Sequence, residues 1–246
     1  MTRSVLVTGV SRRIGIALTV AELLRGEGWA VSMTGWPTHD EEQPWGADEH
    51  PPTIAGMSWQ PADLADPDAP EQLVEDHVRR HGGLDALVAV HARSSAGRLG
   101  ELTAGELDLS FAVNARATVL LVQAAADAGV RRVVLFTTGV HREPMPTEIA
   151  YVLSKAAIQG VTTTLAAALA PTTTVNCVNP GPVDTGYADE DTLRAVAGRM
   201  PHRRWGRPED VAPVVLWLLS DDAHWMTGQT IDVDGGWALR NGVVPR

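Results

Sequence analysis

Two side chains with complementary acid–base chemistry stand four residues apart, Tyr151 and Lys155. On a helix this spacing places the phenol and the ammonium on the same face. A neighbouring ammonium favours phenolate, which moves the phenol pKa from about 10 toward the ~7 at which proton transfer is efficient. The pair therefore predicts a general acid that can protonate an oxygen of a bound substrate.

Lys155 is the only lysine in the chain, beside 19 arginines. One interpretation is a background bias toward arginine with a single chance exception. The other is that this position needs a compact ammonium with an adjustable pKa, which a guanidinium cannot supply.

A glycine-containing turn with the sequence TGVSRRIGIA occupies residues 8–17, between a short apolar run and an alanine- and leucine-rich segment. Glycines allow a sharp turn and a close backbone approach to a pyrophosphate, whose charge the free amides of a helix N-terminus stabilise. A helix-capping loop without a ligand is the alternative interpretation.

Strand and helix patterns alternate along the chain, which predicts a doubly wound α/β fold with a parallel sheet and helices on both faces. Residues 37–52 and 181–207 lack regular patterns, so we expect a surface loop and a lid around residues 186–204. With no linker visible, residues 1–246 are predicted to form a single domain. The seven predicted strands are residues 5–8, 30–33, 57–60, 86–90, 133–137, 174–178 and 230–233, and the helices are 15–26, 70–81, 104–128, 150–170 and 208–219.

The formal net charge of −10 disfavours nucleic acid and anionic membranes as partners, because both call for a basic surface. We see no apolar run near the ~20 residues of a membrane-spanning helix. Cys177 is the single cysteine, and the N-terminus enters a strand pattern directly. These features predict a cytoplasmic protein without internal disulfides.

The turn, the Tyr151-Val152-Leu153-Ser154-Lys155 segment and the Asn179-Pro180-Gly181 stretch together resemble the short-chain dehydrogenase/reductase family, including its 3-oxoacyl-carrier-protein-reductase-like members. That resemblance implies a Rossmann fold and hydride transfer between NAD(P)(H) and a carbonyl or alcohol. The family's phosphate loop reads TG-x-x-x-G-x-G. Aligned on the following helix, Gly15-Ile16-Ala17 stands for G-x-G, with two extra residues after Gly9.

The resemblance also implies site residues. Thr138 replaces the serine that orients the substrate oxygen, and Asn114 matches an asparagine that holds a water next to the lysine. Thr137 is an alternative to Thr138, although strand alternation turns it to the opposite side. The predicted catalytic residues are Asn114, Thr138, Tyr151 and Lys155, and no metal ligands are predicted.

The predicted cofactor contacts run along most of the chain. The family's N-N-A-G is replaced by Ala89-Val90-His91-Ala92, and His91 is an unexplained substitution there. The predicted contacts are Gly9, Ser11, Arg12, Arg13, Ile14, Gly15, Asp63, Leu64, His91, Ala92, Tyr151, Lys155, Pro180, Gly181, Val183 and Thr185.

The cofactor choice depends on the groups near the adenosine ribose. The predicted tip of the second strand has no carboxylate, whereas Arg12 and Arg13 can pair with a 2′-phosphate, so NADP(H) is favoured. NAD(H) stays open because residues 40–42 (DEE) can fold back toward the ribose.

The predicted function is ketone reduction by an NAD(P)(H)-dependent enzyme of class EC 1.1.1.-, acting on a small molecule. Substrate contacts are expected within residues 93–99, 139–149 and 186–204. The alternative is a nucleotide-binding regulator that lacks turnover. The segments 207–210 (RPED) and 234–236 (DGG) resemble family segments that commonly pack in a tetramer, so a homo-oligomer, tetramer or dimer, is expected.

Overall fold

The computed structural model describes residues 2–139, 144–237 and 239. Strands and helices alternate through most of the chain, as expected for a parallel sheet with crossover helices. In chain order the elements are β1 (Ser4–Thr8), α1 (Ile16–Gly26), β2 (Ala30–Gly35), α2 (Pro37–Glu41), β3 (Ser58–Pro61), α3 (Ala69–His81), β4 (Ala86–Ala89), α4 (Ala104–Phe111), a π-helical turn (Ala112–Arg116), α5 (Ala117–Asp127), β5 (Arg132–Phe136), α6 (Ile149–Leu169), β6 (Thr174–Asn179), α7 (Glu190–Arg199), α8 (Pro208–Leu219), a 3₁₀ turn (Asp221–Ala223) and β7 (Thr230–Asp232).

All seven strands pair in parallel, in the order β3-β2-β1-β4-β5-β6-β7. This confirms the predicted doubly wound, Rossmann-type fold. The order changes direction between β1 and β4, and in such sheets a crevice opens at the carboxyl ends of the strands at that point. The fold therefore places the end of β1 and the end of β4 at a ligand site.

Both faces of the sheet are buried, which explains the nearly continuous apolar strands. Alternate residues of β1 face opposite sides: Val5 and Val7 pack in a core under α1 and α8, and Leu6 packs in a second core under α3, α5 and α6. The two cores hold the strand ends, and hence the crevice, in a fixed frame.

Three predicted segments differ from the structure. Pro37 starts a short helix, α2, where only irregular loop was expected. The long helix predicted for residues 104–128 is interrupted by the π-helical turn. The lid contains α7, whose first turn is capped by the Asp189 carboxylate accepting from the Thr192 amide at 2.8 Å.

Two helices are apolar and long enough by composition to cross a membrane, Ala104–Asp127 and Ile149–Leu169. The expectation that no segment reaches this length therefore needs correction. Both helices pack on the second core of the sheet through Leu121 and Ile158, and core helices of globular proteins share this composition.

Candidate active site

A cavity of about 850 Å³ lies at the carboxyl ends of β1 and β4. It runs from the turn after β1, past the end of β5, to the start of α6. Its walls contain most of the residues that the sequence predicts for a cofactor and a catalytic centre: Gly9, Ser11, Arg12, Gly15, Asp63, Leu64, His91, Ala92, Thr138, Tyr151, Lys155, Pro180, Gly181, Val183 and Thr185. The structure thus brings these residues together, and their individual roles stay predictions.

Gly9 is required by the close approach of two chain segments. Its φ is +84°, and a β-carbon there would lie 2.6 Å from the backbone nitrogen of His91. Only glycine fits both the conformation and the space. The turn after β1 is thereby held against the chain that leaves β4, and the two strand ends form one floor for the cavity.

Gly15 is the N-cap of α1, with extended backbone and no side chain in front of the free amides. Its amide donates to the Arg12 carbonyl at 3.2 Å, which closes a turn around Arg13 and Ile14. These amides at the N-terminus of an 11-residue helix provide an anion site at the cavity wall.

The register of the phosphate loop differs from the expectation. Ala17 is inside α1 and 1% exposed, so Gly15 rather than Ala17 ends the loop. Counted from Gly9, the spacing of TG-x-x-x-G-x-G needs no extra residues and places Arg13 at the middle glycine. Arg13 and Ile14 are exposed and are not among the residues that line the cavity, and their cofactor contacts stay predictions.

Arg12 and Asp40 both line the cavity at its adenosine end. Asp40 is folded back by α2, is 8% exposed, and accepts from the Trp45 indole nitrogen at 2.9 Å. Burial raises the pKa of Asp40, and the nearby Arg12 guanidinium opposes that rise. As expected, the tip of β2 carries no carboxylate. Asp40, the first of the acidic residues 40–42, supplies one to this end of the cavity instead.

The hydrogen bonds of its buried imidazole ring explain why a histidine stands at position 91. Nδ1 lies 2.7 Å from the Thr8 hydroxyl and Nε2 lies 3.2 Å from the Thr118 hydroxyl. Thr118 donates its proton to the Asn114 carbonyl, so Nε2 must donate and Nδ1 must accept from Thr8. Burial and the Lys155 charge lower the His91 pKa to about 3, and the neutral ring ties β1 to α5.

Tyr151, Lys155 and Thr138 converge where β5 ends and α6 begins. The Thr138 hydroxyl hydrogen bonds to the Tyr151 phenol. The Lys155 ammonium donates to the carbonyls of His91 at 3.2 Å and Phe136 at 3.1 Å. Thr137 also lines the cavity, and its hydroxyl donates to the Lys155 carbonyl at 2.8 Å.

The expected pKa coupling in this pair is wrong for the structure. Burial raises the pKa of Tyr151, Glu148 and Tyr187 raise it further, and the Thr138 hydrogen bond opposes the rise. Burial lowers the pKa of Lys155 to about 8. The helical spacing predicted the shared face correctly, but it could not show that backbone carbonyls hold the ammonium.

Asn114 lies in the π-helical turn, is fully buried and is not part of the cavity wall. Its side-chain amide accepts from the Arg93 amide at 2.6 Å and donates to the Ser154 hydroxyl at 2.9 Å. It therefore links the chain after β4 to α6 and positions the catalytic helix. Its predicted role, to hold a water next to Lys155, stays a prediction.

The segment that follows Pro180 leads into the lid and packs on the phosphate loop. Gly181 has φ +63°, and a β-carbon there would lie 2.5 Å from the Asp234 β-carbon. A β-carbon at Gly186 would lie 2.3 Å from Ile14 Cδ1. The Gly186 carbonyl accepts from Arg12 at 3.4 Å, so the lid and the phosphate loop share the cavity rim.

Two covering segments, residues 36–57 and 181–207, which we call the cover loops, meet through aromatic rings. The Trp45 and Tyr187 ring centroids are 6.2 Å apart, and those of Tyr187 and Trp205 are 5.9 Å apart, both edge to face. The ranges expected to contact substrate include Glu148 and Tyr187, whereas Trp45 was missed as a wall residue. Nothing in a local pattern indicates a contact between segments so far apart in sequence.

Comparison with known proteins gives a consistent result. A family model described as enoyl-(acyl carrier protein) reductase matches residues 9–238. The uncharacterized oxidoreductase YjdA of Bacillus subtilis (strain 168) is 31% identical over 243 residues, covering 94% of this chain and 95% of that protein. A short-chain dehydrogenase of Burkholderia cenocepacia J2315 in complex with NADP has a TM-score of 0.83 at 32% identity, covering 96% of this chain and 97% of that one. Aldohexose dehydrogenase of Thermoplasma acidophilum shares the fold, with a TM-score of 0.85 at 24% identity over 100% of this chain and 97% of that one.

The chain belongs to the short-chain dehydrogenase/reductase family, whose members are oxidoreductases that use a nicotinamide cofactor. The residues present fit that cofactor. The Gly9 turn and the α1 amides would hold the pyrophosphate, and Asp63 and Leu64 line the wall beside β3 for the adenine end. Tyr151 and Lys155 lie at the opposite end, where the nicotinamide would meet a substrate.

Proposed function

We propose that this protein is a ketone reductase that uses NADP(H) in preference to NAD(H). The proposal rests on one observation. The same cavity contains the Gly9 turn and Arg12 at one end and Thr138, Tyr151 and Lys155 at the other. A nucleotide-binding end and a proton-donating end in one cavity are what hydride transfer to a carbonyl requires. The reduced nicotinamide supplies the hydride when it is bound.

The protein's own residues handle the substrate oxygen. Thr138 and Tyr151 present two hydroxyls at the same place, one to orient the carbonyl oxygen and the other, on Tyr151, to give it a proton. Lys155 uses two of its three donor positions on carbonyls. Its ammonium is then fixed beneath the cavity, on the same face of α6 as the phenol.

The NADP(H) preference rests on Arg12, which lines the cavity at the adenosine end. A guanidinium pairs strongly with a phosphate. Asp40 opposes this preference because a carboxylate near the ribose repels a 2′-phosphate and accepts from a 2′-hydroxyl. Burial raises the pKa of Asp40, and the Trp45 indole already donates to one of its oxygens. We therefore propose that the attraction of Arg12 for a 2′-phosphate outweighs the repulsion by Asp40.

The test is a titration of the purified protein with NADPH and with NADH, followed through quenching of tryptophan fluorescence, and then a screen of ketones. Tighter NADPH binding with turnover supports the proposal. Tighter NADH binding contradicts the assignment of Arg12 over Asp40. Failure to bind either nucleotide contradicts the proposed function as a whole.

A nucleotide-binding regulator without turnover is the second candidate. One observation favours it: Arg13 stands at the middle glycine of the family's phosphate loop, and Ala89-Val90-His91-Ala92 stands in place of N-N-A-G. Binding of NADPH with no turnover on any ketone, together with identical binding by Tyr151→Phe, would select this candidate.

We also propose that the protein is a cytoplasmic homo-oligomer. The apolar helix α6 exposes more of its length than a core helix does, including Leu153 at 53% exposure, and Phe111 of α4 is 46% exposed. A second copy of the chain would cover this face. Light scattering after size exclusion should give a dimer or tetramer mass, and a monomer mass at micromolar concentration would contradict the proposal.

A further inference from the structure

The substrate end of the cavity has one acidic wall residue beside the proton donor, Glu148. It is the N-cap of α6, three positions before Tyr151, and both line the cavity. Residues three apart at a helix start have β-carbons roughly 5–6 Å from one another. Glu148 therefore lies within one small-molecule length of the phenol that serves the carbonyl oxygen.

The backbone around Glu148 is fixed on both sides. Its amide donates to the Met145 carbonyl at 3.1 Å, and its carbonyl accepts from the Val152 amide at 2.9 Å. A parallel bridge joins it to Gly97, whose amide donates to the Thr147 carbonyl at 2.7 Å. Residues 140–143, part of the expected substrate loop, lie outside the described residues. The position of Glu148 is set by the described part of the chain.

The carboxylate of Glu148 makes no ion pair within residues 2–139 and 144–237. Two cations of the described cavity wall are engaged elsewhere: Arg93 pairs with Glu106, and Lys155 donates to backbone carbonyls. Burial alone raises the pKa of Glu148, and the same carboxyl raises the pKa of Tyr151 and of Tyr187. A partly desolvated charge without a counter-charge gains most from a bound cation.

The neighbours of Glu148 suit an ammonium group. Tyr187 places an aromatic ring at the same end of the cavity, and Met145 adds an apolar contact. A carboxylate combined with an aromatic face is a favourable environment for a protonated amine. A neutral polyol could donate hydrogen bonds to Glu148 but would leave its charge uncompensated.

We propose that the substrate is a ketone, or the corresponding secondary alcohol, that carries a protonated amine bound by Glu148. This deepens and rests on the proposed function, because it assigns the substrate class of the same site. Glu148 is then a specificity-determining residue, and Tyr151 keeps the proton transfer.

The experiment compares two ring pairs that differ in charge. With NADPH, kcat/KM is measured for 1-methylpiperidin-4-one and for tetrahydropyran-4-one. With NADPH present, Kd is measured by calorimetry for 1-methylpiperidin-4-ol and tetrahydropyran-4-ol. The cationic member should be preferred about 10-fold or more in both measurements, as expected for a charge-assisted hydrogen bond. In Glu148→Gln the ratio should fall to about one, and Glu148→Asp should restore part of it.

Glu75→Gln is the matched control, because it removes an exposed acid on α3 far from the cavity and should keep the wild-type ratio. A ratio near one in the wild-type protein, or an unchanged ratio in Glu148→Gln, overturns the inference. Preferential binding of the cationic alcohol without turnover of either ketone supports the inference and contradicts the proposed function. The two failures are thus distinguishable.

Discussion

The inner wall of the cavity and its cover loops are built in different ways. The inner wall consists of the turn after β1, the ends of β4 and β5 and the start of α6, all fixed by the sheet and its two cores. The cover loops are tied to the wall through ring contacts and through hydrogen bonds such as Arg12 to the Gly186 carbonyl and the Arg13 amide to Asp48. We infer that the inner wall carries the chemistry and the cover loops tune which ligands enter.

The largest effect is expected at the inner wall, for Tyr151→Phe. Removing the phenol hydroxyl removes the proton donor, so kcat should fall about 10²- to 10⁴-fold, the usual range for general acid catalysis. NADPH affinity and the thermal midpoint should stay near the wild-type values, measured by fluorescence titration and calorimetry. Tyr187→Phe removes the other phenol of the chain and should cost far less in kcat. Equal losses of kcat in the two variants would contradict the assignment of the chemistry to the inner wall.

The second prediction concerns the rim, where the wall meets the cover. Arg12→Ala should weaken NADPH binding about 10- to 100-fold, the magnitude of a lost charge-assisted hydrogen bond, and change NADH binding much less. Asp40→Asn should raise the preference for NADPH because it removes a negative charge from the same end. Fluorescence titration with both nucleotides measures the two ratios. An equal loss for NADPH and NADH in Arg12→Ala would show that Arg12 does not read the 2′-phosphate.

The sequence predicted the inner wall better than the cover, for physical reasons. Strand and helix periodicity located all seven strands and placed Tyr151 and Lys155 on one face. Periodicity carries no information about burial, which is why the pKa coupling of that pair was wrong. The cover loops have no period, and Trp45 meets Tyr187 only through the fold. His91 was unexplained because its partners, Thr8 and Thr118, come from distant elements.

The third prediction concerns the pH dependence of the free energy of unfolding, which two buried histidines should determine. Burial lowers the pKa of His91 to about 3 and that of His77 to about 4, against about 6.5 in an unfolded chain. Below pH 6.5 the unfolded chain therefore binds more protons than the folded protein. The free energy of unfolding should then fall by up to about 1.4 kcal/mol per pH unit for each histidine between pH 6.5 and 4.

Urea denaturation at a series of pH values measures that slope, and His77→Leu should reduce it. His50→Leu is the control, because it removes an exposed histidine of a cover loop. A slope that His77→Leu does not alter would show that this ring is hydrated in the folded protein.

The smallest effect is expected in the cover itself, for Trp45→Ala. This change removes the ring contact with Tyr187, the stacking of Arg12 at 6.0 Å and the hydrogen bond to Asp40. An aromatic pair contributes about 0.5–1.5 kcal/mol, so NADPH should bind about 2- to 10-fold more weakly while the thermal midpoint changes little. Trp225→Ala, at a tryptophan that is 91% exposed, is the matched control. A loss of kcat in Trp45→Ala as large as that in Tyr151→Phe would mean that closure of the cover, rather than proton transfer at the wall, limits turnover.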